Sequence, residues 1–495
     1  MGVNMNRKFN DQELIRRQKL KQLQDNGKNP YAITRVKRTL SIDEFNKKYD
    51  SFSKDELHDS NQKDIEILVG RVINIRQTFI QIKDFSGQGQ LYINKQNFKD
   101  VFDFFKNYVD IGDIIEVHGK AMKTNTGVVT LDVSKMLIVS KALKVLPEKF
   151  HGLVDEESRS RHRYVDLIVN DNSMKTFILR SKIISIIRNY MNSLGYLEVE
   201  TPILQPILGG ANARPFITYH NALSRNFYLR IAPELPLKKL VVGGFEKVYE
   251  IGRIFRNEGM DATHNPEFTS LEAYTAYIGM EETMNLVENI ITHIVKTLGI
   301  KTVNYRGFKI DLTKKFNRIH MVDFIKEKVG INFWEINDLK EALSLCKKHN
   351  IQLQKHQQTI GHIINAFYEE FCEKECIQPT FVFGHPVDVS PLAKIDYKNP
   401  KYTERFELFI GQKEFANAFA ELNDPIDQYE RFENQLKEKS LGNDEAVEMD
   451  IDFIEALEYG LPPTGGLGIG IDRLVMLLSE NDTIRNVLLF PHLRD

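Results

Sequence analysis

Cysteine is scarce in this sequence, and long apolar runs are missing from it. Only Cys346, Cys372 and Cys376 occur among 495 residues, which indicates a reducing compartment. Cys372 and Cys376 lie four positions apart in a helical-looking stretch, but no second pair or nearby histidine accompanies them. We therefore interpret them as buried thiols and not as a zinc site. No apolar run approaches the ~18 residues of a membrane span and no signal-peptide core is present, so we expect a cytoplasmic protein without membrane contact.

The charges are nearly balanced, and no single sign dominates. The formal net charge is −2, with 42% apolar and 27% charged residues, which is ordinary for a soluble protein. These values exclude a globally basic nucleic-acid-binding protein, so any such surface must be local. At 495 residues the chain should hold two or three domains with ample core.

Residues 1–60 are expected to form a basic helical extension. Residues 1–40 carry ten Lys or Arg against three acidic residues. The stretch from Asp11 to Gln24 has leucines at roughly helical spacing among basic residues, and Gly27 follows as a stop. Two interpretations stay open here: a solvated surface helix, or a basic helix lying near nucleic-acid phosphate.

Residues 61–140 have the composition of a small all-β domain. Five short β runs separated by turns span residues 65–75, 79–84, 90–93, 113–121 and 128–139. This number of strands in about 75 residues fits a five-stranded β-barrel of the OB type, whose open face binds single-stranded nucleic acid. SH3-like barrels produce similar patterns, so the residues alone leave both barrels possible.

The remainder divides into a linker, residues 141–170, and a larger domain, residues 171–495. A helix is predicted from Ser173, its expected N-cap, to Leu194, with Gly195 as the stop. Residues from roughly 320 to 376 are helical and polar in patches, which indicates an insertion into this domain.

Two segments far apart in the chain carry the chemistry. The alternating apolar run 248–255 predicts a strand that enters a loop at Arg256. Arg256 and Glu258 share a strand face, where a guanidinium and a carboxylate can hold a phosphate and a donor such as an adenine amino group. The second segment, 465–473, places Arg473 beside a glycine-rich backbone stripped of side chains.

These segments resemble motifs 2 and 3 of the class II aminoacyl-tRNA synthetases, and residues 195–202 resemble motif 1, the helix–strand–proline unit at the subunit interface of those enzymes. The resemblance implies an α+β fold whose catalytic domain is an antiparallel β-sheet flanked by helices. It also implies a homodimer with Pro202 at its interface. An N-terminal OB anticodon-binding domain is what subclass IIb, the Asp, Asn and Lys enzymes, would have.

The reaction that the resemblance implies has two steps. An amino acid carboxylate attacks the α-phosphorus of ATP, and the terminal ribose hydroxyl of tRNA then attacks the mixed anhydride. The first nucleophile is already ionised, so the protein must align two anions and neutralise charge. By the same resemblance, Arg256 and Arg473 are the catalytic residues, with Phe268 and Arg473 on opposite faces of the adenine. The implied ATP-binding residues are Arg256, Glu258, His264, Phe268, Glu407, Gly470 and Arg473.

Magnesium is the cofactor that the resemblance implies. Glu407 and Glu414 match the family's magnesium-coordinating acids, although by themselves they would be interpreted as two exposed hairpin acids. Two carboxylates plus substrate phosphates suit magnesium, which keeps several waters. Glu414 is out of strand phase with Asn417 and Glu421, so we expect a bulge between them or a place for Glu414 at the end of the turn.

The side-chain pocket resembles that of the lysyl branch, bacterial type. Every second residue from Phe268 to Tyr274 shares one strand face, and the opposite segment 417–424 resembles the lysyl-specific strand. A lysine ammonium needs a desolvated acid and an acceptor oxygen, which Glu421 and Tyr274 supply. The implied reaction activates L-lysine with ATP to lysyl-adenylate, releases pyrophosphate and transfers lysine to the 3′ end of tRNA(Lys). The implied lysine-binding residues are Gly210, Glu234, Arg256, Glu272, Tyr274, Asn417 and Glu421.

Some positions depart from the family pattern. Pro236 stands where an aromatic residue is usual, and Ala416 and Ala418 stand where glycines are usual, so we expect a tightened or reshaped pocket. In the predicted barrel, Phe79 and Gln90 match anticodon-reading positions. Lys135, however, replaces an expected carboxylate there, and the turn after Arg76 is shortened.

Three other functions would each require residues or domains different from those present. An asparaginyl or aspartyl enzyme would need cationic or amide partners in the pocket, where this chain has Glu421. A protein-lysylating paralogue would lack the OB domain. A non-catalytic tRNA-binding paralogue would have lost motif arginines or metal acids, whereas both kinds of residue are present.

Overall fold

A computed structural model of the chain describes residues 8–59, 64–147, 153, 155–443, 445–446 and 448–494. Two compact units divide the chain, Met1–Val154 and Asp155–Asp495. The middle of the predicted linker, 148–152, and the start of the predicted extension, 1–7, lie outside the described residues. Of the rest of that linker, residues 141–147 belong to the first unit and residues 155–170 to the second.

The first unit is a closed five-stranded barrel with order β1-β2-β3-β5-β4. The strands are β1 Glu66–Arg76, β2 Phe79–Lys83, β3 Gln88–Tyr92, β4 Ile114–Lys123 and β5 Val129–Ser140. The helices are α1 Asp11–Asp25, α2 Ile42–Asp50, α3 Lys54–Asp59 and α4 Lys99–Tyr108. Alternate strand residues such as Val72 and Ile80 fill the barrel, and Phe45 of α2 joins the same core. The prediction of a five-stranded barrel is confirmed.

Helix α1 is bound to this unit through its basic side chains. It begins with a capping box between Asn10 and Glu13, as its polar start suggests. Arg16 is buried and donates hydrogen bonds to the carbonyl oxygens of Ala142 (3.0 Å) and Lys144 (2.9 Å). These contacts give Arg16 a structural role within the unit. Neither of the two interpretations of this helix, as a solvated surface helix or as a phosphate-binding helix, included such a role.

The second unit contains an eight-stranded, mostly antiparallel sheet with order β14-β15-β16-β17-β18-β11-β10-β6. Its strands and those of two smaller sheets are β6 Leu197–Glu198, β7 Leu204–Gln205, β8 Ile217–His220, β9 Arg225–Leu229, β10 Lys247–Phe255, β11 Glu267–Ala276, β12 Thr302–Tyr305, β13 Phe308–Asp311, β14 Asn317–His320, β15 Thr380–Phe383, β16 Arg405–Ile410, β17 Lys413–Ala420 and β18 Thr464–Gly470. The helices are α5 Glu156–Arg161, α6 Arg163–Val169, α7 Asp171–Ser193, α8 Glu234–Val242, α9 Met280–Leu298, α10 Met321–Val329, α11 Leu339–Lys348, α12 Ile360–Phe371, α13 Pro425–Ser440, α14 Ile451–Glu458 and α15 Ile471–Leu478.

The main core of this unit lies between one face of the sheet and the helices α7, α9 and α15. Ile187, Ile291 and Val475 of these helices are fully buried against sheet residues such as Leu271. An antiparallel sheet covered on one face by helices confirms the α+β prediction.

The predicted insertion has its own core. Helices α10, α11 and α12 fall within residues 320–376 and pack around apolar side chains that include Phe367. All three cysteines are buried here, and none forms a disulfide among the described residues. The interpretation as buried thiols is therefore confirmed for these positions.

Two details at the start of the second unit differ from expectation. Ser173 is not the N-cap: α7 begins at Asp171, and the Ser173 hydroxyl accepts a hydrogen bond from Arg159 (3.0 Å). Residues 156–169, predicted as linker, form α5 and α6. The fully buried Arg163 there pairs with Asp166 (2.6 Å), and buried charged pairs of this kind require an ordered backbone. Among the described helices, none is long and apolar enough to cross a membrane.

Candidate active site

A cavity of about 470 Å³ lies on the face of the large sheet opposite the main core. Strand alternation sets its walls: Glu272 and Asn417 face the cavity, while their neighbours Leu271 and Ala418 lie in the core. The cavity brings together all the side chains and glycines that the sequence assigned to catalysis, ATP, lysine and metal. These are Gly210, Glu234, Arg256, Glu258, His264, Phe268, Glu272, Tyr274, Glu407, Glu414, Asn417, Glu421, Gly470 and Arg473.

Arg256 directly follows Phe255, the last residue of strand β10. Its guanidinium carbon lies 5.3 Å from the ring centroid of Phe268. Its Nε is buried and has no hydrogen-bond partner within the described part of the chain. A buried guanidinium donor left unpaired beside a cavity points to an acceptor on a ligand, such as a phosphate or carboxylate oxygen.

His264 connects the loop after β10 to Arg473 at the start of α15. Its Nδ1 lies 2.8 Å from the Asp261 carboxylate, and its Nε2 accepts from Arg473 at 3.3 Å. Although partial burial opposes the effect, hydrogen bonds from His264 and Thr263 hold the pKa of Asp261 well below its usual range. The ionised Asp261, which sequence reasoning missed, therefore orients the histidine toward the cavity.

Glu407 is held ionised by Arg405 on the same strand and by the nearby His385. Arg405 donates to its Oε1 at 2.6 Å, and His385 Nε2 lies 3.6 Å from its Oε2. Burial would raise the pKa of Glu407, but His385 and Arg405 outweigh burial and lower it to about 2. An ionised, oriented carboxylate of this kind is suited to a hard cation.

Glu414 reaches the same cavity because strand β17 contains a bulge. Leu408 pairs with Ala416, but Phe409 pairs with Glu414, so Phe415 is the extra residue. The bulge that the strand phase predicted is confirmed, and it turns Glu414 to the face of Asn417. Among the described residues, no group of three or more His, Cys, Asp or Glu is arranged around a metal. Glu407 and Glu414 thus offer two carboxylates, a set that fits magnesium when phosphate oxygens and water complete its shell.

The inner end of the cavity is strongly acidic and shielded from water. Glu421 is 1% exposed, and its Oε1 finds no hydrogen-bond partner among the residues described. A Cβ at Gly466 would overlap this oxygen, so only glycine fits opposite it. The Tyr274 hydroxyl donates to Glu272 at 3.2 Å, and burial raises the pKa of Glu272 to about 8. An unpaired buried carboxylate oxygen in such a place indicates a cationic ligand.

Sequence reasoning missed two cations of this site. Lys238 lies one turn after Glu234 on α8 and forms ion pairs with Glu234 (2.5 Å) and Glu421. Arg405 donates to the Asn417 amide oxygen at 3.1 Å, besides holding Glu407. A Glu–Lys pair four residues apart is common on helix surfaces, so only the burial of Lys238 distinguishes it.

The departures from the family pattern have structural explanations. Ala416 and Ala418 are both buried in the main core, but of the two only Ala416 is among the described residues that line the cavity. Strand alternation directs the Ala418 methyl group away from the cavity, and the expectation of a reshaped pocket stays a prediction for Ala416. Pro236 occupies the third position of α8, in the first helical turn, where a backbone N–H has no intrahelical partner to lose.

On the barrel of the first unit, Phe79 belongs to the outer surface. It is partly exposed, lies outside the barrel core, and its ring centroid is 5.1 Å from that of Tyr92 on β3. Gln90 pairs with Gln81 on the adjacent strand, next to this aromatic pair. Lys135 is exposed on β5 opposite His118, where the strand pairing is irregular. Tyr92 was missed because its partner is on another strand.

Comparisons with known proteins agree with both units. A family described as tRNA synthetases class II (D, K and N) matches residues 155–494, and an OB-fold nucleic acid binding domain matches residues 67–139. The chain is 64% identical to a lysine–tRNA ligase of Malacoplasma penetrans, over 99% of this chain and 100% of that protein. It is 60% identical to that of Ureaplasma urealyticum, over 99% of both chains, and 53% identical to that of Streptococcus agalactiae, over 98% of both.

Proposed function

The chain belongs to the lysine–tRNA ligase family of the class II tRNA synthetases, and we propose that it activates L-lysine with ATP and transfers the lysine to the 3′ end of tRNA(Lys). The single observation that carries the choice of amino acid is the buried, unpaired Oε1 of Glu421 at the closed end of the cavity. A carboxylate in that environment favours an ammonium group over a neutral or acidic side chain.

The outer part of the cavity is assigned to ATP. The unpaired guanidinium of Arg256 would hold the α-phosphate together with the lysine carboxylate, so that the nucleophile and the phosphorus are aligned. Arg473 would neutralise the remaining phosphates, and His264 would lie near them. Phe268 would hold the adenine by stacking, and Glu258 by accepting a hydrogen bond from its amino group. Gly470, which has no side chain, would lie beside the nucleotide.

The inner part is assigned to L-lysine. Glu421 would pair with the ε-ammonium, with Tyr274 and Glu272 beside it, and Glu234 with the backbone of Gly210 would receive the α-ammonium. Asn417, oriented by Arg405, would help to place the carboxyl end. No side chain has to act as a base, because the lysine carboxylate is already ionised when it attacks.

Magnesium is assigned to Glu407 and Glu414. When bound there together with phosphate oxygens, it would stabilise the charge that develops on the phosphates. What the chain itself contributes is the ionised state of Glu407, set by Arg405 and His385, and the position of Glu414, set by the bulge at Phe415.

The barrel is assigned to the tRNA anticodon. The pair Phe79 and Tyr92 offers a stacking platform, and the neighbouring Gln90 offers both a donor and an acceptor for base edges. A homodimer is proposed through the segment that includes the exposed Pro202, and the cytoplasm is proposed as the location because aminoacylation requires tRNA and ATP.

The test is amino-acid-dependent exchange of pyrophosphate into ATP, run with each of the twenty standard amino acids in turn. Exchange should occur with L-lysine far above all others, and tRNA(Lys) should then accept labelled lysine. Exchange driven best by asparagine or aspartate would contradict the assignment of the pocket. A chain that binds tRNA(Lys) without any exchange would contradict the enzymatic function altogether.

A further inference from the structure

Lys238 is a fully buried ammonium group that contacts two acids lining the closed end of the cavity. Its side chain has no exposed surface, and its Nζ forms ion pairs with Glu234 (2.5 Å) and Glu421. The rings of Phe419 and Phe453 lie 5.5 and 5.7 Å from the same Nζ. Although burial disfavours its charge, the two carboxylates raise the pKa of Lys238, so the group remains a cation.

The formal charges around this ammonium leave a definite surplus. Three carboxylates, Glu234, Glu272 and Glu421, act on one another electrostatically at the closed end of the cavity. When all three are ionised, Lys238 balances one of them and two negative charges remain. In the empty site burial raises the pKa of Glu272 to about 8, so this carboxyl group holds a proton at neutral pH that a bound cation displaces. L-lysine brings two ammonium groups, while its carboxylate is assigned to Arg256. With Lys238 present, the two remaining negative charges therefore match the two positive charges of the L-lysine ammonium groups.

The two oxygens of Glu421 have different surroundings. Oε2 forms the ion pair with Lys238, which approaches from helix α8, and neither oxygen has a further hydrogen-bond partner in the described ranges. Oε1 is also the oxygen that faces the bare backbone of Gly466. A carboxylate held through one oxygen cannot rotate freely, so the other oxygen stays available for a ligand.

We propose that Lys238 is a positioning residue for amino acid selection: it holds Glu421 with one oxygen free for the substrate ammonium and reduces three buried carboxylates to the two negative charges that L-lysine requires. This inference rests on the proposed lysine pocket. It differs from a purely structural salt bridge, which would contribute to folding and leave substrate affinity unchanged.

The first variant is Lys238→Met, which keeps the length of the side chain and removes its charge. Without the ammonium, the carboxylates take up protons and Glu421 loses its fixed orientation, so KM for lysine should rise at least tenfold at pH 7, while KM for ATP changes less than twofold. The matched control is Lys239→Met on the same helix, because Lys239 pairs with the exposed Asp452 outside the cavity. That variant should keep both KM values.

Lys238→Met leaves buried carboxylates without a cation and could therefore fail to fold. A second variant tests the proposal in a protein whose buried charge is restored. In Lys238→Met/Glu272→Gln the formal surplus returns to two negative charges. Glu272→Gln alone should raise KM for lysine, yet in the Lys238→Met background it should lower KM by several fold. The effect of Glu272→Gln on KM would thus reverse its sign between the two backgrounds, as charge balance requires. If the two substitutions caused independent structural defects, their effects on KM would simply add.

The outcomes are separable by pyrophosphate exchange and thermal unfolding on the same preparations. A folded Lys238→Met enzyme with a lysine KM within twofold of wild type would overturn the inference, and so would additive losses in the double variant. If the wild-type chain itself gave no lysine-dependent exchange, the proposed function would fail instead.

Discussion

At the scale of single residues, the proposed selection of lysine depends on one carboxylate removed from water, Glu421. Glu421→Gln keeps the shape of the side chain but leaves the substrate ammonium without its counter-charge, a loss of ~3–5 kcal/mol for a buried pair. KM for lysine in pyrophosphate exchange should rise on the order of a hundredfold or more, with little change in KM for ATP. The exposed Glu458 supplies the control, because Glu458→Gln should behave as wild type. A near wild-type lysine KM in Glu421→Gln would refute the pocket assignment.

If the proposed pocket binds lysine, Glu272 should make that binding depend on pH. Burial raises its pKa to about 8, so below that pH the empty site holds a proton that a bound ammonium must displace. KM for lysine should therefore fall as pH rises from 6 toward 8, by at most about tenfold per pH unit. Measuring KM across this range checks the sign, and Glu272→Gln should flatten the profile because that group no longer titrates.

The same group affects stability in the opposite direction. Its folded pKa, about 8, is above the ordinary value of 4.5, so the folded protein binds more protons than the unfolded chain between these values. The stability that the protonated carboxyl contributes is fully present below pH 4.5 and is lost as pH rises through 8. At pH 8 the Glu272→Gln variant should accordingly lose less melting temperature, relative to pH 6, than wild type does.

At the scale of elements, the bulge in β17 decides whether Glu407 and Glu414, the proposed magnesium ligands, face the same cavity. If the same residues paired regularly, without the bulge at Phe415, Glu414 would lie opposite Ile410 and its side chain would point into the core, because strand neighbours alternate. Glu414→Gln should raise the magnesium concentration needed for half-maximal exchange and leave binding of tRNA unchanged. Glu433→Gln, which removes an exposed acid from α13, is the control for loss of charge. An unchanged magnesium titration in Glu414→Gln would place the metal on other acids.

At the scale of the whole molecule, a substitution in the barrel should affect only the tRNA-dependent step of the proposed reaction and not the activation of lysine. Phe79→Ala removes a stacking surface worth ~1–3 kcal/mol per base, so KM for tRNA should rise while tRNA-independent exchange stays at the wild-type rate. Because Phe79 lies outside the barrel core, the melting temperature should change little. Phe85, 79% exposed beyond the other end of the same strand, offers Phe85→Ala as a control. Equal losses on tRNA with an altered anticodon would argue against base reading by Phe79.

The proposed homodimer can be tested at the edge of the large sheet. Strand β6 is an edge strand, and its Leu197 is 48% exposed, as expected of an apolar residue covered by a partner. Leu197→Asp should shift the protein from dimer toward monomer in sedimentation velocity. Leu339→Asp, at an exposed leucine of the insertion, should not. A monomeric wild-type protein would contradict the proposal directly.

Local sequence patterns predicted most of the helices and strands, and they predicted which side chains of the candidate site share a strand face. Period-two alternation in 268–274 and 417–421 was enough to place Glu272, Tyr274, Asn417 and Glu421 on cavity-facing positions, because side chains of a strand alternate whatever packs on them. The same rule predicted the bulge before Asn417. Ser173 was assigned wrongly as a cap because Asn170, Asp171 and Ser173 are all acceptable near a helix start, and the choice depends on the distant Arg159.

What the sequence by itself determined was the inventory: the barrel, the antiparallel sheet, the arginines and acids and the face on which each lies. These follow from interactions within about one turn or one strand, which a linear pattern records. Only the tertiary structure decided which of these arginines, lysines and acids pair with one another and what charge each carries. Lys238 resembles half of a surface Glu–Lys pair until helix α8 packs it against Glu421, 183 positions further along the chain. Burial and charge balance are properties of groups assembled from distant segments, so a local pattern does not contain them.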